Sequence, residues 1–464
     1  MEKHFRIERD SLGSIKVPKD AYFGAQTMRA IENFSVSHIT QHFEFIQAYA
    51  VVKKAAAIAN IKLGKLDRKL GIPIIKAAEE IIEGGFRYDF LVDIFQAGAG
   101  TSTNMNVNEV IANRANELLG GKKGDYSPIH PNDHVNMSQS TNDTYHATIH
   151  IAVYKTIKQS LLPELESLQN DLEKKAKEFH SIVKVGRTHM QDALPITLGQ
   201  EFSGYVSAVA HAVKRVDTIS DPLRELAIGG TAVGTGVNAG KKYPDLVINE
   251  INNITKLDFR KSLNFFNASQ NQNVEAEVSA ALKTVAITLN KIANDFILLS
   301  SGPNAGFNEI ILPAVQPGSS IMPGKVNPTI PEMLNMVCFK VIGNDITITE
   351  AARSGQLELN VYTPVIAYHL LDSINILTNG VRIFRKKCVQ GVKVNEKKIK
   401  EYLENNPIIA TALAPIIGYE KTAEVIKLSY EKNISVRDLI IKMKLIPKEK
   451  LDKLFDYKKL VNPD

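Results

Sequence analysis

Leu282, Val285, Leu289, Ile292, Phe296 and Leu299 recur at intervals of three and four, which lines six apolar side chains along one face of a long helix. Ala281, Ala286 and Ala293 flank that stripe and let a neighbouring helix approach closely. A second stripe, Leu161, Leu165, Leu168, Leu172 and Phe179, has Lys and Glu between its members. Stripes of this kind are stable only when buried against other helices. They continue with few strand signals, which predicts a long helical bundle over 145–390. Pro163 interrupts the second stripe, so a kink or a helix start is expected there. Residues 1–144 mix turn-rich segments with helices. The stretch 44–63 reads as helix, with Lys53, Lys54, Ala55, Ala56 and Ala57 as strong formers. After Gly391 the segments shorten at Asn406-Pro407, Gly418 and Pro447, which predicts a small helical C-terminal domain over 391–464. The class expected is mainly α, in three domains: 1–144, 145–390 and 391–464.

A chain of 464 residues is too long for one ordinary core, in keeping with that division. Its 44% hydrophobic and 23% charged residues are those of a globular protein. The net charge of +6 is small and the basic residues are scattered, so a nucleic-acid partner is not expected. No run reaches the roughly 18 uncharged apolar residues that a membrane span needs. The N-terminal run Met1-Glu2-Lys3-His4-Phe5-Arg6 is polar, without the apolar core of a signal peptide, and a cytoplasmic enzyme is the expectation. Cys338 and Cys388 are the two cysteines; no disulfide framework and no Cys/His metal spacing follows from them. Neither a metal nor a cofactor is expected.

The most informative run for chemistry is Gly318-Ser319-Ser320-Ile321-Met322-Pro323-Gly324-Lys325-Val326-Asn327-Pro328. Two serines and two glycines make a loop that can swing, while Lys325 and Asn327 set a cation and an amide donor two residues apart. Such a loop suits removal of a proton beside a carboxylate, with a serine taking the proton and the lysine holding the charge that develops. Gly-, Ser- and Pro-rich runs are otherwise ordinary surface turns. The full string resembles the signature of the fumarase/aspartase superfamily. Further strings resemble that family in its own order: 98–106 around Thr101, Ser102 and Asn104; 130–143 with His130, Asn132, Asp133, Ser140, Thr141 and Asn142; 186–193 with Thr188 and His189; and 229–236.

The resemblance implies three α-rich domains, with the central helices of four subunits packed in a shared core. It implies a lyase that forms fumarate from a small C4 dicarboxylate, at sites each built from three subunits of a homotetramer. It makes Ser319 the candidate general base, with Ser320 as the adjacent alternative. Lys325 and Asn327 would hold the carboxylate that gains charge. His189 would pair with Glu332, which would orient the imidazole and support its charged form. Thr101, Ser102, Asn104, Ser140, Thr141, Asn142 and Thr188 would contact the substrate's remaining polar groups, although Ser, Thr and Asn also serve as caps and turns everywhere. His130, Asn132 and Asp133 match a peripheral dicarboxylate site of the fumarase branch and are assigned no catalysis. Ala99-Gly100-Thr101-Ser102, Ser140-Thr141-Asn142 and 355–361 resemble the aspartase branch, while 23–27, 130–133 and 229–231 resemble class II fumarases. The loops expected nearest the leaving group favour the aspartase branch. Asn304 stands where both branches have Arg, and Tyr362-Thr363-Pro364 matches neither.

Overall fold

The computed structural model describes residues 4–461; residues 1–3, the start of the polar N-terminal run, lie outside the described residues. The α-helices up to residue 387 are α1 (Ala25–Asn33), α2 (Phe43–Lys62), α3 (Arg68–Ile82), α4 (Thr101–Leu118), α5 (Thr141–Thr156), α6 (Leu162–Glu178), α7 (Leu198–Ile219), α8 (Tyr243–Thr255), α9 (Phe265–Gln270), α10 (Asn273–Leu299), α11 (Thr329–Arg353) and α12 (Thr363–Lys387). Shorter helices follow from Glu396 to Leu460. Strands are few. Antiparallel hairpins join β1 (Phe5–Asp10) to β2 (Gly13–Pro18) and β3 (Val183–Thr188) to β4 (Gln191–Thr197). Two-residue pairings link Glu225–Leu226 to Arg260–Lys261 and Ile310–Ile311 to Lys393–Val394. The mainly α class read from the stripes is the class observed. No helix among the described residues is long and apolar enough to cross a membrane.

The chain divides into two compact units, each built from segments distant in sequence. One contains Met1–Pro163, Lys214–Ala286 and Phe339–Thr378; the other contains Glu164–Val213, Ile287–Cys338 and Asn379–Asp464. In the first unit, α2 is buried on nearly every face, as its Ala-rich, all-round apolar sequence requires. It packs on α3, α5 and α8, with Phe45, Tyr49 and Tyr145 in an aromatic cluster whose centroids lie 4.8 to 5.9 Å apart. The start of α1 is capped from a distance. The buried Glu109 carboxylate on α4 accepts from the N–H groups of Gly24, Gln26 and Thr27 and from the Thr27 hydroxyl, where a helix N-terminus favours negative charge.

Pro163 is the second residue of α6, directly after a π-helical turn at Ile157–Leu161 that joins α6 to α5 with helical backbone. The helix does not restart at Pro163; α5, the π turn and α6 run on without a break, and the interruption expected there takes the form of that π turn. In the second unit, Phe179, Phe202, Phe296 and Phe384 interlock with centroid separations of 5.2 to 5.6 Å. All members of both leucine-rich stripes are buried. The C-terminal helices enclose a core of their own, including Leu413, Val425, Leu439, Ile440 and Leu451.

Candidate active site

The chain enters α4 through a turn at Gly98–Gly100, with Ala99 at φ 58° and Gly100 at φ 82°. A Cβ on Gly100 would sit 2.0 Å from the Tyr145 ring, so only glycine allows this turn to lie against α5. The turn leaves Thr101 exposed at the start of α4 and buries Ser102 and Asn104. α5 opens with a capping box: the Ser140 hydroxyl accepts from Asn142 N–H at 3.2 Å, and Asp143 accepts from Ser140 N–H at 3.0 Å. The second Asp143 oxygen accepts from the N–H groups of Gly229 and Thr231, both at 2.9 Å. Asn142 donates to the Ala232 carbonyl at 2.7 Å. The glycine-rich 229–236 string is thereby pinned to the start of α5. Burial pushes Asp143 up to about 6, against the pull of those N–H bonds.

Beneath these loops lies a residue that sequence reasoning missed as a site group. Lys53 is 0% exposed, and its Nζ donates to Asn104 Oδ1 at 2.7 Å, Asn136 Oδ1 at 3.0 Å and Gln139 Oε1 at 2.9 Å. Asn104 Nδ2 in turn donates to Thr141 Oγ1 at 3.0 Å. Burial pulls the Lys53 ammonium down to about 7, with the Asp143 charge opposing. In the sequence Lys53 registers only as a helix former, because no local signal marks a lysine as buried. Thr101, Asn104, Ser140 and Thr141 line a cleft of about 870 Å³ together with Asn132 and Asp133. The cleft thus offers hydroxyls and amides oriented by a cation, a lining suited to a small polyanion.

His130 caps the π-helical turn Pro131–Val135, its Nδ1 accepting from the N–H groups of Asn132 and Asp133. The Asp133 carboxylate lies 3.4 Å from the same nitrogen. Asn132 and Asp133 are exposed.

In the second unit, Thr188 and His189 stand exposed at the tip of the β3–β4 hairpin. His189 and Met190 have φ of 53° and 60°, the two left-handed residues that a two-residue type I′ turn requires. Neither is Gly or Asn, so this backbone is strained, and strain of this kind concentrates at functional sites. The strand below is anchored by a buried ion network: Glu309 lies 2.7 Å from both Lys184 and Arg187 of β3.

The Ser loop closes on itself. Gly318 N–H donates to the Lys325 carbonyl at 2.8 Å, and Asn327 Nδ2 donates to the Gly318 carbonyl at 2.7 Å. A Cβ on Gly318 would lie 2.5 Å from the Lys325 carbonyl oxygen, so glycine is required for this closure. Inside the loop, the Ser319 hydroxyl oxygen accepts from the N–H groups of Ile321 at 3.2 Å and Met322 at 3.0 Å. Ser320 is exposed and receives no such pair among the described residues. Lys325 and Glu332 are exposed, the latter in the first turn of α11. No ion pair joins His189 to Glu332 within the chain. Asn304 is exposed in a loop closed by Ser301, which bonds the N–H groups of Phe307 and Asn308, so residue 304 is not needed to hold it.

One cluster of metal-ligating type occurs among the described residues: buried His146, His150 and Glu275, away from the Ser loop in sequence and in the first unit.

Comparison with known proteins accords with this arrangement. A family described as lyase matches residues 13–343, and one described as fumarase C C-terminus matches residues 409–462. An aspartate ammonia-lyase of a Bacillus species is 47% identical over 463 residues, covering 100% of this chain and 99% of the relative. A class II fumarate hydratase of Thermosynechococcus vestitus is 48% identical over 448 residues, covering 97% and 96%. The crystal structure of class II fumarase from Schistosoma mansoni superposes with a TM-score of 0.96 at 40% identity, covering 99% of both chains. On this match along nearly its whole length, in sequence and in fold, the chain belongs to the fumarase/aspartase family of lyases.

Proposed function

We propose that the chain is an aspartate ammonia-lyase, converting L-aspartate to fumarate and ammonium. The observation that carries the chemistry is the pair of backbone N–H groups on the Ser319 hydroxyl oxygen. Donors aimed at that oxygen stabilise its alkoxide, the form a serine needs to act as a base. Ser319 takes the C3 proton of the substrate, and the electron pair flows into the adjacent carboxylate, held by Lys325 and Asn327. The C2–N bond then breaks with its electrons leaving on nitrogen. The ammonia takes up a proton, restoring the Ser319 alkoxide overall. Thr101, Ser102, Asn104, Ser140, Thr141, Asn142 and Thr188 hold the other carboxylate and the amino group.

His189 and Glu332 are both exposed and unpaired with each other in one chain, so their pairing is proposed to form between chains. An apolar row on α11, Met336, Phe339 and Ile346, each at least 60% exposed, supports assembly with further copies. A homotetramer with three chains at each site is the proposed form. The cytoplasm is the proposed compartment, where both buried free cysteines would stay reduced.

A class II fumarate hydratase is the second reading. It is favoured by the similar identity of fumarases to this chain and by His130, Asn132 and Asp133 beside the cleft. Fumarate absorbance, followed separately with L-aspartate and L-malate, tests the choice. Formation from aspartate alone is expected, and formation from malate alone overturns the aspartase reading. Ser319→Ala is expected to lower turnover by at least about a hundredfold with the fold intact; undiminished turnover removes Ser319 as the base.

A further inference from the structure

His146 and His150 stand one helical turn apart on α5, an i, i+4 spacing that puts both imidazoles on one face. Glu275 meets them from the first turn of α10. The three are 4%, 2% and 0% exposed, and their ligand atoms lie within 4.8 Å of one another. Glu275 Oε1 is 3.0 Å from His150 Nε2 and 3.5 Å from His146 Nε2. His150 Nδ1 is 2.7 Å from the Glu225 carbonyl oxygen. A carbonyl only accepts, so Nδ1 carries a proton. In the neutral ring Nε2 is then a lone pair facing a carboxylate oxygen, and two acceptors at that distance require a cation between them.

A proton on His150 is one such cation, but it leaves the second Glu275 oxygen buried with no hydrogen-bond partner. His146 does not satisfy that oxygen: its Nε2 faces Glu275 Oε1, at 3.5 Å. Its Nδ1 is bonded to nothing, which leaves the ring free to present Nε2.

We propose that His146, His150 and Glu275 bind a divalent transition-metal ion of the zinc or cobalt class, which locks α5 to the start of α10. Ligands about 2.0–2.1 Å from a tetrahedral ion lie about 3.4 Å from each other, beside 3.0 and 3.5 Å from Glu275 Oε1 to the two imidazoles. The second Glu275 oxygen or a water fills the fourth position. The Glu225 carbonyl on His150 Nδ1 is the outer hydrogen bond that fixes a metal-bound imidazole in one tautomer. The ion acts on the fold and takes no part in the elimination; α5 carries Thr141 and Asn142 at its other end.

Because the cluster is buried, the ion must be present while the chain folds. The test is expression in medium with cobalt(II) in place of zinc, followed by gel filtration, cobalt analysis and visible absorption. About one cobalt per chain with tetrahedral absorption bands is expected, falling more than about tenfold in His146→Leu and Glu275→Gln. Wild-type protein that retains no cobalt, or retains it without tetrahedral bands, overturns the proposal even if neither variant folds. So does cobalt retained at the wild-type level by either folded variant, which would put the ion elsewhere.

Discussion

Asp143 accepts hydrogen bonds from three backbone N–H groups on two separate stretches of chain, Ser140 on one and Gly229 and Thr231 on the other. An asparagine in its place would turn an N–H donor toward at least one of them. Asp143→Asn is therefore expected to cost about 1–3 kcal/mol, read as a lower urea midpoint at unchanged slope. Lys53 makes a pH-dependent prediction. Its folded value of about 7 lies below the ordinary 10.5 that the unfolded chain has. Across that window the unfolded chain keeps a proton that the folded chain has lost, so this group makes stability rise with pH, by at most about 1.4 kcal/mol per unit. Asp143 and Glu109, pushed up by burial to about 6 and about 7, titrate mainly below it. Wild type should gain stability over Lys53→Met between about pH 7.5 and about pH 9.5 in urea denaturation; parallel curves would refute the assignment.

At the level of elements, the long helices were legible because burial on one face leaves a 3.6-residue period in the sequence. The stripes through Leu282 and Leu165 are buried as that period requires. Pro163 marked the π turn ahead of α6 for an equally local reason. The β3–β4 hairpin left no such trace. Its turn is His189-Met190, and the left-handed pair usually announced by Asn-Gly is here imposed by the strands and the Glu309 ion network below. Met190→Gly should relieve that strain and stabilise the hairpin by about 1 kcal/mol, raising Tm. It should also lower fumarate formation, because His189 is then held less firmly. Motif strings located Ser319, Lys325 and Thr141, but they could not show that Ser319, and not Ser320, receives two N–H groups. Lys53 was illegible because its three acceptors lie on other segments, and a lysine in a helix reads as solvated by default.

At the scale of the whole molecule, the two compact units hold different parts of the proposed machinery, Thr101 to Asn142 in one and Thr188 to Glu332 in the other. Under the proposed assembly, the exposed row on α11 links catalysis to assembly. Phe339→Asp should shift light-scattering mass toward smaller species, with fumarate formation lost in step. Smaller species that keep full activity would show sites complete within one chain, and full assembly would remove the row as an interface. The Lys53 hub carries a consequence for how such a protein can evolve. One cation satisfies amide oxygens from Asn104, Asn136 and Gln139, and Asn104 also positions Thr141. Replacing any one of these leaves a buried donor without its acceptor. Substitutions in the hub should therefore be strongly epistatic, with coupling of about 0.5–3 kcal/mol in double-mutant cycles. Descendants that change substrate would then have to alter this group in concert, and single-step drift through it would be closed.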